Sequence, residues 1–171
     1  MSSLAGVVRV PLDLCRIDDR LIHGQVVLGW GQQMRLGFIV LVDDEVAGSD
    51  WERELYRMGV PPDVDVVFET VDGAATRLAE FERDPRPGIL LTGDVESMVR
   101  LVGKCSALRA VNLGGIHHKS GRVQRLRYVF LSPDEELALR SLESRGVAVT
   151  ARDVPGARAV ALSDLLSGKG E

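Results

Sequence analysis

Short apolar runs alternate with amphipathic segments along almost the whole chain. Leu12 to Ile17 reads as a first strand, and Gln25 to Met34 as a helix. Phe38 to Val42 is an unbroken apolar run, the signature of a parallel strand buried on both faces. Ser49 or Asp50 is placed to cap the next helix, through Trp51, Leu55 and Met58, which Gly59-Val60-Pro61-Pro62 ends. Val64 to Phe68 is the third predicted strand, followed by a helix over Ala74 to Phe81. A short strand at Ile89 to Leu91, a helix from Val95 to Val102 and a strand at Ala110 to Leu113 follow, entering the turn Gly114-Gly115. After Gly121, VQRLRYVF holds one or two short strands. Ser132-Pro133-Asp134-Glu135 is a helix start: a capping hydroxyl, proline in the first turn, then acids at the positive end of the dipole. That helix runs to about Ser144, Val147 to Ala151 is a last strand, and Leu162 to Leu166 a final short helix.

Such alternation predicts an α/β fold, a predominantly parallel sheet with helices on its faces. No repeat or linker breaks the pattern, so residues 1–171 are expected to form a single domain, with 1–10 a flexible or extra segment. Met58, Met98 and the helical leucines read as core. Trp30 and Trp51 read as packing residues, with partner contact as the lesser alternative.

Composition narrows the class. Cys15 and Cys105 are the only cysteines and lie in apolar contexts, which suits buried free thiols in a reducing cytoplasm. The opening MSSLAGVVRVPLDLC lacks a basic leader, and no apolar run approaches the roughly 18–20 residues of a spanning helix. Any work at a membrane is therefore expected to go through partners. A net charge of -4 argues against general nucleic-acid binding. The charge is uneven: from Ser97 to Pro133 there is no acid but seven cations, Arg100, Lys104, Arg109, Lys119, Arg122, Arg125 and Arg127. That stretch is either a solvated face or a surface that steers an acidic or phosphorylated protein.

In a parallel α/β sheet, ligands bind outside the carboxyl ends of the strands, where strand order reverses. His23, Thr92-Gly93 and Gly114-Gly115 all follow strands, so three loops are expected to converge there. In RIDDRLIHGQ, Arg16 to Gln25, one imidazole lies just after the first strand with two arginines upstream. A neutral imidazole is a nucleophile for phosphoryl groups, and nearby cations favour the neutral ring. Arg16 and Arg20 can also neutralise phosphoryl oxygens, and arginine's planar fork suits them. Gly24 allows close backbone approach, and the first amides of the Gln25 helix would point at the anion. Asp18 and Asp19 would repel phosphate, so their expected work is to hold the arginines or the imidazole. The plainer reading is a loop histidine beside a local ion-pair network. No dinucleotide or Walker-type glycine loop follows the first strand. Ile116-His117-His118-Lys119 resembles a metal-ligand set only faintly, without Cys or acid nearby in sequence, and no metal or cofactor is expected.

The segment RIDDRLIHGQ resembles, nearly residue for residue, the phosphorylation loop of the mannose/fructose/sorbose-type enzyme IIB proteins of the bacterial sugar phosphotransferase system. FIVLVDDEVAGSDWERELYRMGVPPDVDV, AVNLGGIHHKSGR and the segment Leu131 through Val154 are similar to further parts of that family. The resemblance implies that His23 is the phosphorylated residue and that Arg16 and Arg20 match the motif's two phosphate-facing arginines. It implies a donor, a IIA phosphohistidine, and an acceptor, a sugar at the membrane components IIC and IID. It implies no cofactor and a cytoplasmic protein, peripheral to the membrane through those components. The family's loop after strand four often carries an aromatic or lysine where Leu91-Thr92-Gly93-Asp94 stands here, which leaves Thr92 without a matched role. Gly114 and Gly115 are expected as loop or partner-contact positions. A regulatory phosphoacceptor of the same fold, feeding no permease, is the alternative function.

Overall fold

The computed structural model describes residues 14–170. The start of the first predicted strand at Leu12 and the N-terminal segment 1–10 lie outside them. Strand β1 (Leu14–Ile17) leads through the His23 loop into a π-wound segment, Gln25–Trp30, which continues as helix α1 (Gly31–Met34). Arg35, at φ 54°, turns the chain out of that helix. Then come β2 (Phe38–Val42), α2 (Asp44–Ala47), α3 (Asp50–Met58), β3 (Asp65–Glu69), α4 (Val71–Arg83), β4 (Gly88–Thr92), α5 (Val95–Lys104) and β5 (Ala110–Leu113). A hairpin of β6 (Val123–Leu126) and β7 (Val129–Leu131) precedes α6 (Pro133–Ser144), β8 (Ala148–Ala151), β9 (Val160–Ala161) and α7 (Leu162–Leu166).

The main sheet has seven strands in the order β3-β2-β4-β1-β5-β8-β9, parallel except for β9. The described residues form a single α/β domain. Side chains alternate between two faces, as strand geometry requires. Phe38, Val40 and Val42 face a core that α4, α5, α6 and α7 cover. Ile39 and Leu41 face the other core, beneath Val26, Trp30 and Leu36.

Local signals explain the boundaries. The Ser132 hydroxyl accepts from Glu135 N, and the Glu135 carboxylate accepts from Ser132 N, a reciprocal capping box with proline behind it. Ser49, not Asp50, caps α3. Thr70 caps α4 and starts it at Val71, ahead of the expected Ala74. Asp43 caps α2, a helix the apolar pattern did not reveal.

Helix α3 corrects one expectation. Trp51, Leu55 and Met58 are 69%, 52% and 77% exposed, so none is core. The helix lies inward on Glu52, Arg53 and Tyr56, and Arg53 donates to the Ala47 carbonyl. Apolar spacing reveals a stripe, not which way it faces. Leu28 and Leu137 are likewise exposed and not core, whereas Met98 is fully buried and Trp30 is buried.

Candidate functional site

β1 lies between β4 and β5, so the chain reverses direction across the sheet at its end. The three loops meet there: Asp18 N donates to Thr92 O at 2.9 Å, and Asp19 N donates to Gly115 O at 2.8 Å.

Asp18 is the hub. It is fully buried and takes Arg16 Nη2 at 3.1 Å, and Arg20 through its backbone N, Nε and Nη2, each at 3.2 Å. His23 Nε2 lies 3.0 Å from Asp18 Oδ2, out of line for a full hydrogen bond. Burial alone would raise the Asp18 carboxyl. The contacts from His23 and Arg20 and the charge of Arg16 outweigh it and hold Asp18 well below the usual carboxylate range. The aspartate thus holds both arginines and the imidazole at once.

Gln25 ties the other side of the ring. Its backbone N–H meets His23 Nδ1 at 3.3 Å, and its side-chain oxygen accepts from Arg20 Nη2 at 2.8 Å. The amide expected to face an anion therefore points at a ring nitrogen. Space at Gly24 is open: a Cβ there would meet nothing within 4 Å.

Arg16 lies beneath the loop rather than at its rim. It has no exposure, and its two terminal nitrogens are already committed: to Asn112 Oδ1 at 2.5 Å, to the carbonyls of Arg152 and Asp153 at 2.8 and 3.0 Å, and to Asp18, while Nε is buried without a partner among the described residues. Through Nη2 it fixes the Asp18 carboxylate beneath the loop. Burial pushes its proton affinity down and Asp18 and Asp153 push it up, but a guanidinium stays charged. Arg20, with its side chain 35% exposed, is the arginine at the rim.

The two glycines make room for the two arginines. A Cβ on Gly114 would collide with the Arg16 guanidinium, and one on Gly115 would fall 3.1 Å from Arg20 Nη2. Thr92 is fully buried and its hydroxyl donates to the Asp94 carbonyl, so it contributes its backbone rather than a side chain. Asp19 makes no hydrogen bond or ion pair with His23. It clamps His117, through the ring Nδ1 at 2.6 Å and the backbone N at 2.7 Å. His118 packs edge-on against Phe130.

Sequence reasoning missed Asn112, Arg152, Asp153 and the placement of Trp30. Trp30 donates Nε1–H to the Asp153 carbonyl at 3.1 Å, with the guanidinium carbons of Arg16 and Arg152 5.3 and 5.8 Å from its ring. One signal was available: Asn112 is the only polar residue in the strand Ala110–Leu113.

The basic stretch is also different in space. Arg100 pairs with Asp44, Lys104 with Asp72, Arg122 with Glu135 and Arg125 with Glu136. Acids from elsewhere in the chain neutralise four of the seven cations. A large cavity, of about 500 Å³, opens along β3 among Phe38, Arg57 and Arg86, away from the histidine loop. Among the described residues no helix is long and apolar enough to cross a membrane.

A parallel α/β domain with an imidazole held over a buried aspartate between two arginines finds clear relatives. Residues 12–171 match the family model of the PTS system sorbose subfamily IIB component. The sorbose-specific EIIB component of Lacticaseibacillus casei is 30% identical over 161 residues, covering 92% of this chain and 98% of its own. The N-acetylgalactosamine-specific phosphotransferase enzyme IIB component 1 of Escherichia coli is 33% identical over 147 residues, covering 84% and 90%. The crystal structure of the IIB domain of the sorbose permease from Klebsiella pneumoniae superposes with a TM-score of 0.80 at 28% identity, covering 91% and 96%. The chain belongs to the sorbose-type IIB components of the bacterial sugar phosphotransferase system.

Proposed function

We propose that this chain is a phosphohistidine carrier, in which His23 accepts a phosphoryl group from a IIA phosphohistidine and passes it to a sugar at IIC and IID. The observation that carries the reading is the set of contacts on the His23 ring: Nε2 against the buried Asp18, and Nδ1 toward the Gln25 amide with Arg20 alongside.

The chemistry follows from that placement. Asp18 favours the proton on Nε2, which leaves the lone pair on Nδ1. Nδ1 attacks phosphorus, the donor's P–N bond breaks, and the donor imidazole leaves with the electron pair. The new imidazolium keeps its Nε2 proton beside Asp18. In the second transfer a sugar hydroxyl attacks phosphorus, the P–N bond breaks, His23 leaves as neutral imidazole, and the hydroxyl proton passes to solvent. Phosphoryl transfer asks mainly for positioning and charge stabilisation, and Arg20 is the exposed cation that supplies the second. The carrier acts in the cytoplasm and reaches the membrane through IIC and IID.

The deciding assay combines this chain, phosphorylated IIA and membranes holding IIC and IID with labelled sugar. Sugar phosphate should form only when the chain is present. Acceptance of phosphate without sugar phosphate would favour the regulatory alternative. Arg20→Ala is expected to slow transfer ~100-fold, the order seen on loss of one preorganised donor. Quenched-flow rates equal to wild type would remove Arg20 from the reaction.

Because four cations are internally paired, steering by the basic stretch should be weak. Transfer from IIA is expected to slow less than about fivefold as the Debye length falls from roughly 10 to 3 Å. A much steeper dependence would restore a basic docking face.

A further inference from the structure

Beside the phosphoryl site stands a second imidazole that the relay above does not use. His117 is fastened to Asp19 at two points, ring and backbone. Asp19 in turn donates its N–H to Gly115 O, and Arg122 donates to the His117 carbonyl at 2.7 Å. The ring contact, 2.6 Å from Nδ1 to a carboxylate oxygen, sets the tautomer. In the neutral ring Nδ1 carries the proton toward Asp19, and Nε2 has the lone pair. The side chain is 56% exposed, so solvent reaches the ring.

Gly115 shows where that ring lies. A Cβ on Gly115 would stand 3.1 Å from Arg20 Nη2 and 3.2 Å from His117 Cε1, the ring carbon between the two nitrogens. A notch the size of one methyl group therefore separates the Arg20 head from the His117 edge. On its other side the same Arg20 nitrogen contacts Gln25, whose amide meets His23 Nδ1. His23, Gln25, Arg20 and His117 follow one another along a single rim.

We propose that His117 is a second donor to the phosphoryl group on His23, and that it takes up one proton when that group arrives. The inference rests on the reading that His23 is the carrier. A phosphoryl group brings a charge of about -1.5 to -2, while Arg20 already shares its charge with Asp18. A neutral His117 would turn a lone pair toward that anion. A proton from solvent on Nε2 converts the ring to imidazolium, held between the Asp19 carboxylate and the phosphoryl oxygens, and gives a charge-assisted hydrogen bond. The balance is one proton in with each phosphoryl group and one proton out when it leaves; only the P–N bond changes. The charged groups around the ring are Asp19 at Nδ1, Arg20 across the notch and Arg122 at its carbonyl, with Lys119 two residues on. His118 is turned to Phe130 and takes no part.

A ring that only bolts two loops together would not sense phosphorylation, which makes its protonation the readout. Nitrogen NMR of histidine-labelled protein in a His118→Gln background leaves two rings to follow, His23 and His117. Phosphorylation by IIA should move the His117 Nε2 resonance to the protonated range, compared with the unphosphorylated protein at the same pH. His117→Gln should lower the equilibrium constant for phosphoryl acceptance roughly tenfold, the scale of one charge-assisted hydrogen bond. An unchanged His117 resonance alongside a clear phosphohistidine phosphorus signal would overturn this inference and leave the carrier reading standing. No phosphohistidine signal at all would overturn both.

Discussion

His23→Ala is expected to abolish phosphoryl acceptance while the domain stays folded. The imidazole supplies the only nucleophile among the groups gathered around Asp18, because arginine and glutamine have no comparable lone pair. Its structural contribution is small by contrast. The Nε2 contact to Asp18 is out of line, and Asp18 retains Arg16 and Arg20 when the ring is removed. A loss of about 1 kcal/mol is expected, the scale of one hydrogen bond. Urea denaturation beside a labelling assay separates the two effects. A variant that lost labelling and folding together would make His23 a structural residue, and one that kept labelling would move the nucleophile elsewhere.

Arg16→Met should do the opposite, striking stability first. The guanidinium has no exposure and joins four partners from three parts of the chain: Asp18, Asn112 and the carbonyls of Arg152 and Asp153. Methionine fills much of the volume but donates nothing. The buried Asp18 charge loses a partner, and Asn112 and both carbonyls lose their donor. Breaking a buried pair in this way costs about 3–5 kcal/mol. For a domain of this size that corresponds to a drop in Tm of roughly 10 °C. Transfer should fall as well, because Asp18 positions His23 and Arg20, but the fall follows from loosening rather than from a lost phosphate contact. Calorimetry on the variant is decisive: a Tm within a degree or two of wild type would mean that Arg16 does not hold the loop.

The two arginines show how far the sequence could be read. Both were legible as cations next to a candidate nucleophile. Their division of labour was not, because it depends on contacts far along the chain. The carbonyls that engage Arg16 lie 136 and 137 residues away in sequence, and no local pattern reports them. Gly114 and Gly115 followed the same course: the glycine pair was visible, but its reason is the bulk of the two guanidinium groups beside it.

The sheet was the most legible part. Runs such as Phe38–Val42 and Ile89 to Leu91 are buried on both sides, so their composition alone marks them as interior strands. Helix α3 was harder. Its apolar residues share a face, but that face is turned to solvent, and helical spacing is identical in either case. The acid-free stretch from Ser97 to Pro133 misled for a related reason. Charge along a chain becomes charge on a surface only after folding, and α6 brings Glu135 and Glu136 back against Arg122 and Arg125.

The central claim is that the phosphoryl group sits on His23. Phosphopeptide mapping after incubation with labelled phospho-IIA tests it most directly. The label should be acid-labile and base-stable, and confined to the peptide containing RLIHGQ. Label on the peptide containing His117 and His118 instead, or no label on the chain, would contradict the account.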